Sequence, residues 1–328
     1  MNRLRAYRDL EGLSQQQLAE ILGVSVSLVS AMESGSRAFT ADLSRLGYAP
    51  ERLSLPAMSP PMHRQRASTA VATRKRAQEL IRLAGEAFKD LVARTPRAPS
   101  VMIDRLPAPG DDDEIEEYAI EVRAMLHYDN SGPIENLTAA AERAGVCLVP
   151  LAGLAGVDGL SAWVDGIPVV GLSPAVPGDR FRLTLAHELG HLALHARSTD
   201  STEHEANRFA GALLFPKAEF DAAMPVRPQI RDFVDLKESW GVSVSALVYR
   251  AHELGYIDDA RYRSLQIQMS KWQRDEPGRF EPAVGQLLPR LVQVNGGAAD
   301  VATKLGISTT HLRDLIDWRP FKRSLHLA

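Results

Sequence analysis

The chain has 328 residues, 45% hydrophobic and 24% charged, with a formal net charge of −3, which fits an ordinary globular protein of about two or three domains. A single cysteine, Cys147, excludes an internal disulfide framework and points to a reducing compartment. No apolar run reaches the roughly 18 residues of a membrane span, and the opening MNRLRAYRDLEGLS has no apolar core or cleavage site of a secretory signal, so a cytoplasmic protein without a membrane partner is expected.

The charge is uneven. Residues 1–97 hold 15 Lys and Arg against 9 Asp and Glu, a local balance of +6, which leaves −9 on the other 231 residues. A nucleic-acid contact is therefore expected at the front. There, in SQQQLAEILGVSVSLVSAMESG, Ser14 can cap a helix whose Leu18, Ala19 and Leu22 form an apolar face. Gly23 permits a tight turn, and Ser25 can cap a second helix with Val29 and Met32 inward. From about Leu4 to Leu46 this resembles the helix-turn-helix of the phage-repressor (XRE or Cro-type) family, which predicts an all-α domain over 1–55 and DNA as its partner. The residues facing base edges are Val26, Ser27, Ser30 and Ala31, with no Arg, Asn or Gln among them, so direct readout is expected to be weak. Gln15, Gln16, Ser25, Ser27 and Arg37 are the expected phosphate contacts, and a protein contact by the same surface is the alternative.

PAMSPPM (56–62) interrupts the helical pattern and TRKRAQELIRLAGEAFKDLVA (73–93) resumes it as an amphipathic helix inside a linker region taken as 56–113. Its end, RTPRAPS followed by PAPGDDDE, has the Pro, Gly and acidic content of a solvated connection. Beyond it the pattern predicts helices at Glu114 to Leu126 and Ile134 to Gly145, then short strands at VCLVPL and IPVVGL. GLSAWVDGIPVV reads as a strand pair turning at Asp165 and Gly166, an edge that could take an extended substrate.

From Arg182 to about Leu265 the pattern is helical, and AHELG occurs in it twice. In AHELGHLALH, His187 and His191 are four apart, so one helix face presents both to a single ion, and Glu188 lies close enough to hold a water without being a ligand. In the second copy Tyr256 stands where the second histidine belongs, so that segment reads as an ordinary helix end stopped by Gly255. Leu183, Leu185, Ala186, Leu189, Leu192 and Leu194 make the first helix apolar almost all round, an expensive place for two histidines without a metal. The third ligand is expected from EHEANRFAGALLFP: Glu203, which shares a stripe with Ala206 and Ala210, with Asn207 one turn later orienting a ligand histidine. Glu205 points about 200° away on the same helix and is the weaker candidate. His195 and His204 remain rivals, and Arg197 ten residues after His187 excludes the three-histidine zincin pattern.

The runs DRFRLTLAHELGHLALH, EHEANRFAGALLFP, LKESWGVSVSALVYRAHELGYI and SKWQRDEPGRFEP, preceded by GPIENL, AAERAGVCLVPL and GLSAWVDGIPVVGL, resemble the ImmA/IrrE family of HExxH metallopeptidases over about Glu114 to Gln286. The resemblance implies a mostly α protein with a small sheet: an α+β zincin-like peptidase domain at 114–222 followed by a helical module at 223–286. It implies His187, His191 and Glu203 as zinc ligands and Glu188 as general base of a metalloendopeptidase. Its substrate would be a regulatory protein, a helix-turn-helix repressor. The alternative is a DNA-binding regulator or antitoxin whose peptidase-like domain senses metal or a partner without turnover.

At the end of the chain, GAADVATKLGISTTHLRDLID (297–317) superimposes on the first helix pair at an offset of 283, matching Leu18 with Val301, Gly23 with Gly306, Ser25 with Ser308 and Met32 with Leu315. A second helix-turn-helix-like segment is expected at 287–328, ringed by Lys304, His311, Arg313, Arg319, Lys322 and Arg323.

Overall fold

The computed structural model describes residues 3–39, 42–54, 70–196, 199–272, 276–278 and 280–319. The 56–62 break, Arg197, Lys322 and Arg323 lie outside the described residues. In chain order the helices are α1 (Leu4–Glu11), α2 (Gln15–Leu22), α3 (Val26–Ser34), α4 (Pro50–Ser54), α5 (Val71–Ala93), α6 (Asp112–Met125) and α7 (Leu137–Arg143), then α8 (Gly178–Leu194), α9 (Thr202–Leu214), α10 (Lys217–Ala223), α11 (Ile230–Trp240), α12 (Val244–Glu253) and α13 (Asp259–Ser270), and finally α14 (Leu287–Val294), α15 (Gly297–Leu305) and α16 (Thr309–Ile316). Three strands, β1 (Cys147–Pro150), β2 (Gly159–Val164) and β3 (Ile167–Leu172), form one sheet in the order β1-β3-β2. The fold is mostly α with this small sheet. Among the described residues no helix is long and apolar enough to cross a membrane.

Two compact units divide the chain. The first joins 1–98, 147–171 and 286–328; the second joins 99–146 and 172–285. The expected 114–222 segment is thus shared, with most of the sheet in the first unit.

Helix α5 is the spine of the first unit. Ala77, Leu80, Ile81, Ala84, Ala87, Phe88 and Leu91 repeat at three- and four-residue spacing and are all buried. Gly85 lets β2 lie against this helix, because an added Cβ there would fall 2.5 Å from Val164 Cβ. Asp165 and Gly166, at φ +48° and +81°, make the two-residue loop between β2 and β3, the left-handed pair that a tight hairpin needs. That leaves β2 at a sheet edge, as the hairpin pattern predicts.

The second unit is built on α8 and α9. Leu185, Ala186, Leu189, Leu192 and Ala193 are fully buried along α8, and Ala206, Phe209, Ala210 and Leu213 along α9. Helix α6 packs on α9 and α7 on α8. The amino ends of α6 and α7 are set by Asp111 and Asn136, whose side chains accept from backbone N–H groups in the first turn, so these helices begin slightly off the positions that apolar periodicity suggests. Two buried cations in this unit are paired with carboxylates, Arg250 with Glu116 at 2.6 and 2.7 Å and Lys237 with Asp179 and Glu276 at 2.7 Å each, whereas Arg123 donates to backbone carbonyls such as Leu213 O.

Candidate metal centre

Close approach of α8 and α9 creates the site. Gly190 faces the buried ring of Phe209, where a Cβ would come within 2.9 Å of Phe209 Cδ1, so only glycine permits this separation. Glu203 then lies opposite the histidine pair. The Nε2 atoms of His187 and His191 are 3.0 Å apart, and each is 3.7 Å from a Glu203 carboxylate oxygen. Donor atoms of these three residues all lie within 4.8 Å of one another. Glu188 is buried on α8 and is not one of the three converging donors.

The outer nitrogens of both histidines are engaged. His187 Nδ1 is 3.0 Å from Asn207 Oδ1; an amide oxygen only accepts, so Nδ1 carries the hydrogen and Nε2 keeps its lone pair. His191 Nδ1 is 3.0 Å from His195 Nδ1, and His195 Nε2 is 2.8 Å from Glu205 Oε2. The carboxylate fixes the hydrogen of His195 on Nε2, so its Nδ1 accepts from His191. That leaves the His191 Nε2 lone pair pointing at the cluster. Burial holds the His195 imidazole below the usual histidine range, against the opposing pull of Glu205, which keeps it neutral and able to accept.

With both imidazoles neutral and bonded through Nδ1, two Nε2 lone pairs 3.0 Å apart beside a carboxylate suit a cation held between them. Two nitrogens and one carboxylate oxygen, with a position left open, form a donor set that suits catalytic zinc. The residues therefore fit such an ion.

The remaining candidates separate cleanly. His204 pairs with Asp112 at 3.3 Å and stands outside the cluster. Glu205 and His195 form the outer chain behind His191. The periodicity of α9 alone hid this arrangement; the spacing His187, His191, His195 at four-residue steps on α8 could have signalled it. The second AHELG ends α12 as expected: Gly255 adopts φ +80°, and His252 stacks on Tyr262 and bonds Asp259.

The front helix pair has the predicted local chemistry. Ser14 and Gln17 form a capping box on α2, Gly23 adopts φ +67°, and Ser25 Oγ accepts from Leu28 N at the start of α3. Gln16, Ser25, Val26, Ser27, Ser30 and Arg37 are exposed. Gln15 differs: its amide nitrogen donates to the buried Glu33 at 2.9 Å, and Glu33 also accepts from Arg8. Helices α15 and α16 repeat the turn and the second cap, with Gly306 at φ +63° and Ser308 accepting from His311 N, but α15 has no side-chain cap at its start. The amino end of α16 is engaged within the first unit. His311 is buried, 2.9 Å from Glu11 and edge-on to Tyr48, and Gly306 O accepts from Ala49 N.

These features define a helix-turn-helix protein that carries a metallopeptidase-like histidine and carboxylate cluster. Residues 141–252 match the family model of the IrrE N-terminal-like domain, a peptidase family, and residues 4–45 match that of a helix-turn-helix. The chain therefore combines an IrrE N-terminal-like peptidase-family domain with an XRE-type helix-turn-helix. No curated protein matches the chain.

Proposed function

We propose that this chain is a zinc-dependent metalloendopeptidase of the ImmA/IrrE type, which cleaves a helix-turn-helix repressor in the cytoplasm and so controls transcription. The observation that carries this reading is the convergence of His187, His191 and Glu203 with both outer imidazole nitrogens already engaged. His187, His191 and Glu203 would hold zinc, which when bound acidifies water and polarises a carbonyl. Asn207 and the His195–Glu205 pair hold the two imidazoles in the tautomer that directs the Nε2 lone pairs at the cluster. Glu188 takes the proton from the attacking water and returns it to the leaving amide nitrogen. Residues 4–45 bring the chain to DNA or to a repressor of similar fold, with Gln16, Ser25, Ser27 and Arg37 contacting phosphates, Val26 and Ser30 facing base edges, and Gln15 bracing Glu33.

The helix-turn-helix match favours a second reading, a DNA-binding regulator whose metal domain senses an ion without turnover. One comparison separates the two. Zinc content, promoter binding and cleavage of a helix-turn-helix repressor encoded beside the gene are measured for the purified chain and for Glu188→Gln. The peptidase reading expects cleavage only by the unaltered chain, with zinc retained in both. Promoter binding by both proteins without any cleavage overturns it in favour of the sensor.

A further inference from the structure

A cavity of about 350 Å³ opens in the second unit beside α9, α12 and α13, lined by the buried Leu214, Phe215, Val242 and Leu247 and, where it meets solvent, by the exposed Ser245 and Tyr249. We propose that it binds a small neutral molecule with a compact apolar body and one planar amide edge, an N–H beside a C=O. None of His187, Glu188, His191 and Glu203 lines it, so this ligand is a separate small molecule and not part of a substrate at the metal donors. The inference goes beyond the peptidase reading and holds whether or not the chain cleaves a protein.

Two unmatched polar atoms in the wall carry the argument. Arg250 and Glu253 both line the cavity, with side chains 3% and 7% exposed. Nη1 and Nη2 of Arg250 donate to Glu116 at 2.7 and 2.6 Å, and Nη1 also donates to Glu253 Oε2 at 3.1 Å. Among the described residues, Arg250 Nε and Glu253 Oε1 find no hydrogen-bond partner. Arg208 Nη1 stands 3.9 Å from Oε1, beyond hydrogen-bonding reach. Buried polar atoms in this condition destabilise a protein until a group that enters the cavity satisfies them. Gly211, also in the lining, leaves the flank of Arg250 uncovered, since a Cβ there would lie 3.6 Å from Nε.

The two atoms have opposite senses. Nε–H donates and a carboxylate oxygen accepts, and the bond between Arg250 and Glu253 ties both to one corner of the wall. An amide edge is the complement: its C=O accepts from Nε and its N–H donates to Oε1. A ketone satisfies only Nε. A carboxylate would also reach Nε but would face the like charge of Glu253. The buried cations Arg208 and Arg250 are balanced by Glu116 and Glu253, so a ligand charge would lose its water and gain no unmatched counter-ion. Ser243 Oγ already accepts from Ala246 N at the start of α12. The volume falls within the roughly 300–1,000 Å³ of ordinary ligand cavities, and the apolar floor suits a ring.

Four probes of one shape test the site by equilibrium dialysis against the full-length chain. Naphthalene-2-carboxamide carries donor and acceptor, 2-acetylnaphthalene an acceptor alone, 2-naphthoate an anionic acceptor, and quinolin-2-one the same amide edge closed into a ring. The carboxamide is expected to bind at least tenfold tighter than the ketone and the carboxylate. Tighter binding of quinolin-2-one than of the carboxamide identifies a lactam edge, such as that of a nucleobase, and the reverse an open carboxamide. Glu253→Gln should change the order, because its amide oxygen stays on Arg250 Nη1 and its NH2 turns to the cavity. The carboxamide then loses at least tenfold while 2-naphthoate gains. Ala246→Trp, which fills the cavity, should abolish binding of all four probes. Should that variant melt early, Ala246→Met narrows the same space, and the order of affinities in the unaltered chain is a test by itself. Equal binding of carboxamide and ketone, an order unchanged in Glu253→Gln, or no binding of any probe overturns the proposal and leaves the peptidase reading as it stands.

Discussion

The Nδ1 atoms of His191 and His195 lie 3.0 Å apart, and only one of them can carry the hydrogen between them. Glu205 decides which, by taking the Nε2 hydrogen of His195. The same carboxylate therefore sets the tautomer of a candidate metal ligand it does not touch. Replacing His195 by Ala is expected to weaken zinc binding by about 10–100-fold. His195→Gln should recover part of the loss, since its amide oxygen can accept from His191. Competition with a chromogenic chelator reads both values. Affinity unchanged in His195→Ala would show that the outer histidine plays no part.

Gly190→Ala tests the packing that creates the site. Alanine improves helix propensity by about 0.5–1 kcal/mol, but the new methyl group meets the fully buried ring of Phe209. Overpacking of this kind costs about 1–3 kcal/mol, so the net effect is expected to be destabilising. A lower urea midpoint and weaker zinc binding should appear together, and Phe209→Leu in the same chain should restore both in part. A stabilised Gly190→Ala protein would contradict the geometry.

Acid stability of the first unit is expected to depend on Glu11. A hydrogen bond from His311 holds its carboxyl below the ordinary 4.5, with burial opposing and the charges of His311 and Arg76 and the Tyr7 hydroxyl assisting. A carboxyl depressed in the native state stabilises the fold above pH 4.5, and this contribution is lost as pH falls through the native value. Asp314, raised by burial, acts in the opposite direction. Because Glu11 is exposed, solvent screens the effect and the slope should be modest. Melting temperatures between pH 6 and pH 3 should fall less steeply for Glu11→Gln than for the unaltered chain; parallel curves would rule the pair out.

On the helix-turn-helix, Arg37→Ala is expected to weaken binding to different duplexes by similar factors and to lower the salt slope by about 1. Fluorescence anisotropy over a series of salt concentrations measures this. Loss confined to one sequence would instead make Arg37 a base reader. Gln15→Ala should act through stability, because its amide braces the buried Glu33.

Much of the candidate site is legible in the sequence, because it depends on local geometry. Four-residue spacing places His187 and His191 on one face of α8, and the stripe of α9 places the exposed Glu203 and Asn207 on the side that meets those histidines. The Glu205–His195 contact escaped because helical angles relate residues within one helix, whereas this pair joins the end of α8 to the start of α9. Gln15 likewise reads as a phosphate contact until Glu33, 18 positions on, occupies its amide. The repeat at offset 283 gave the turn at Gly306 and the Ser308 cap of α16, whereas α15 starts after Gly296 without the side-chain cap that Ser14 gives α2. Its neighbours could not be read, since contacts between His311 and Glu11 span nearly the whole chain. For the same reason, no local pattern indicated that 147–171 groups with the front helices.

The bonds from Ala49 to Gly306 and from Arg52 to Leu305 carry a consequence for biosynthesis. A ribosome delivers α1 to α3 first, yet the carbonyls that anchor the following segment emerge more than 250 residues later. Translation at about 5–20 residues per second leaves that segment waiting for on the order of ten seconds or more. A nascent chain halted before residue 286 would expose an unfinished DNA-reading end.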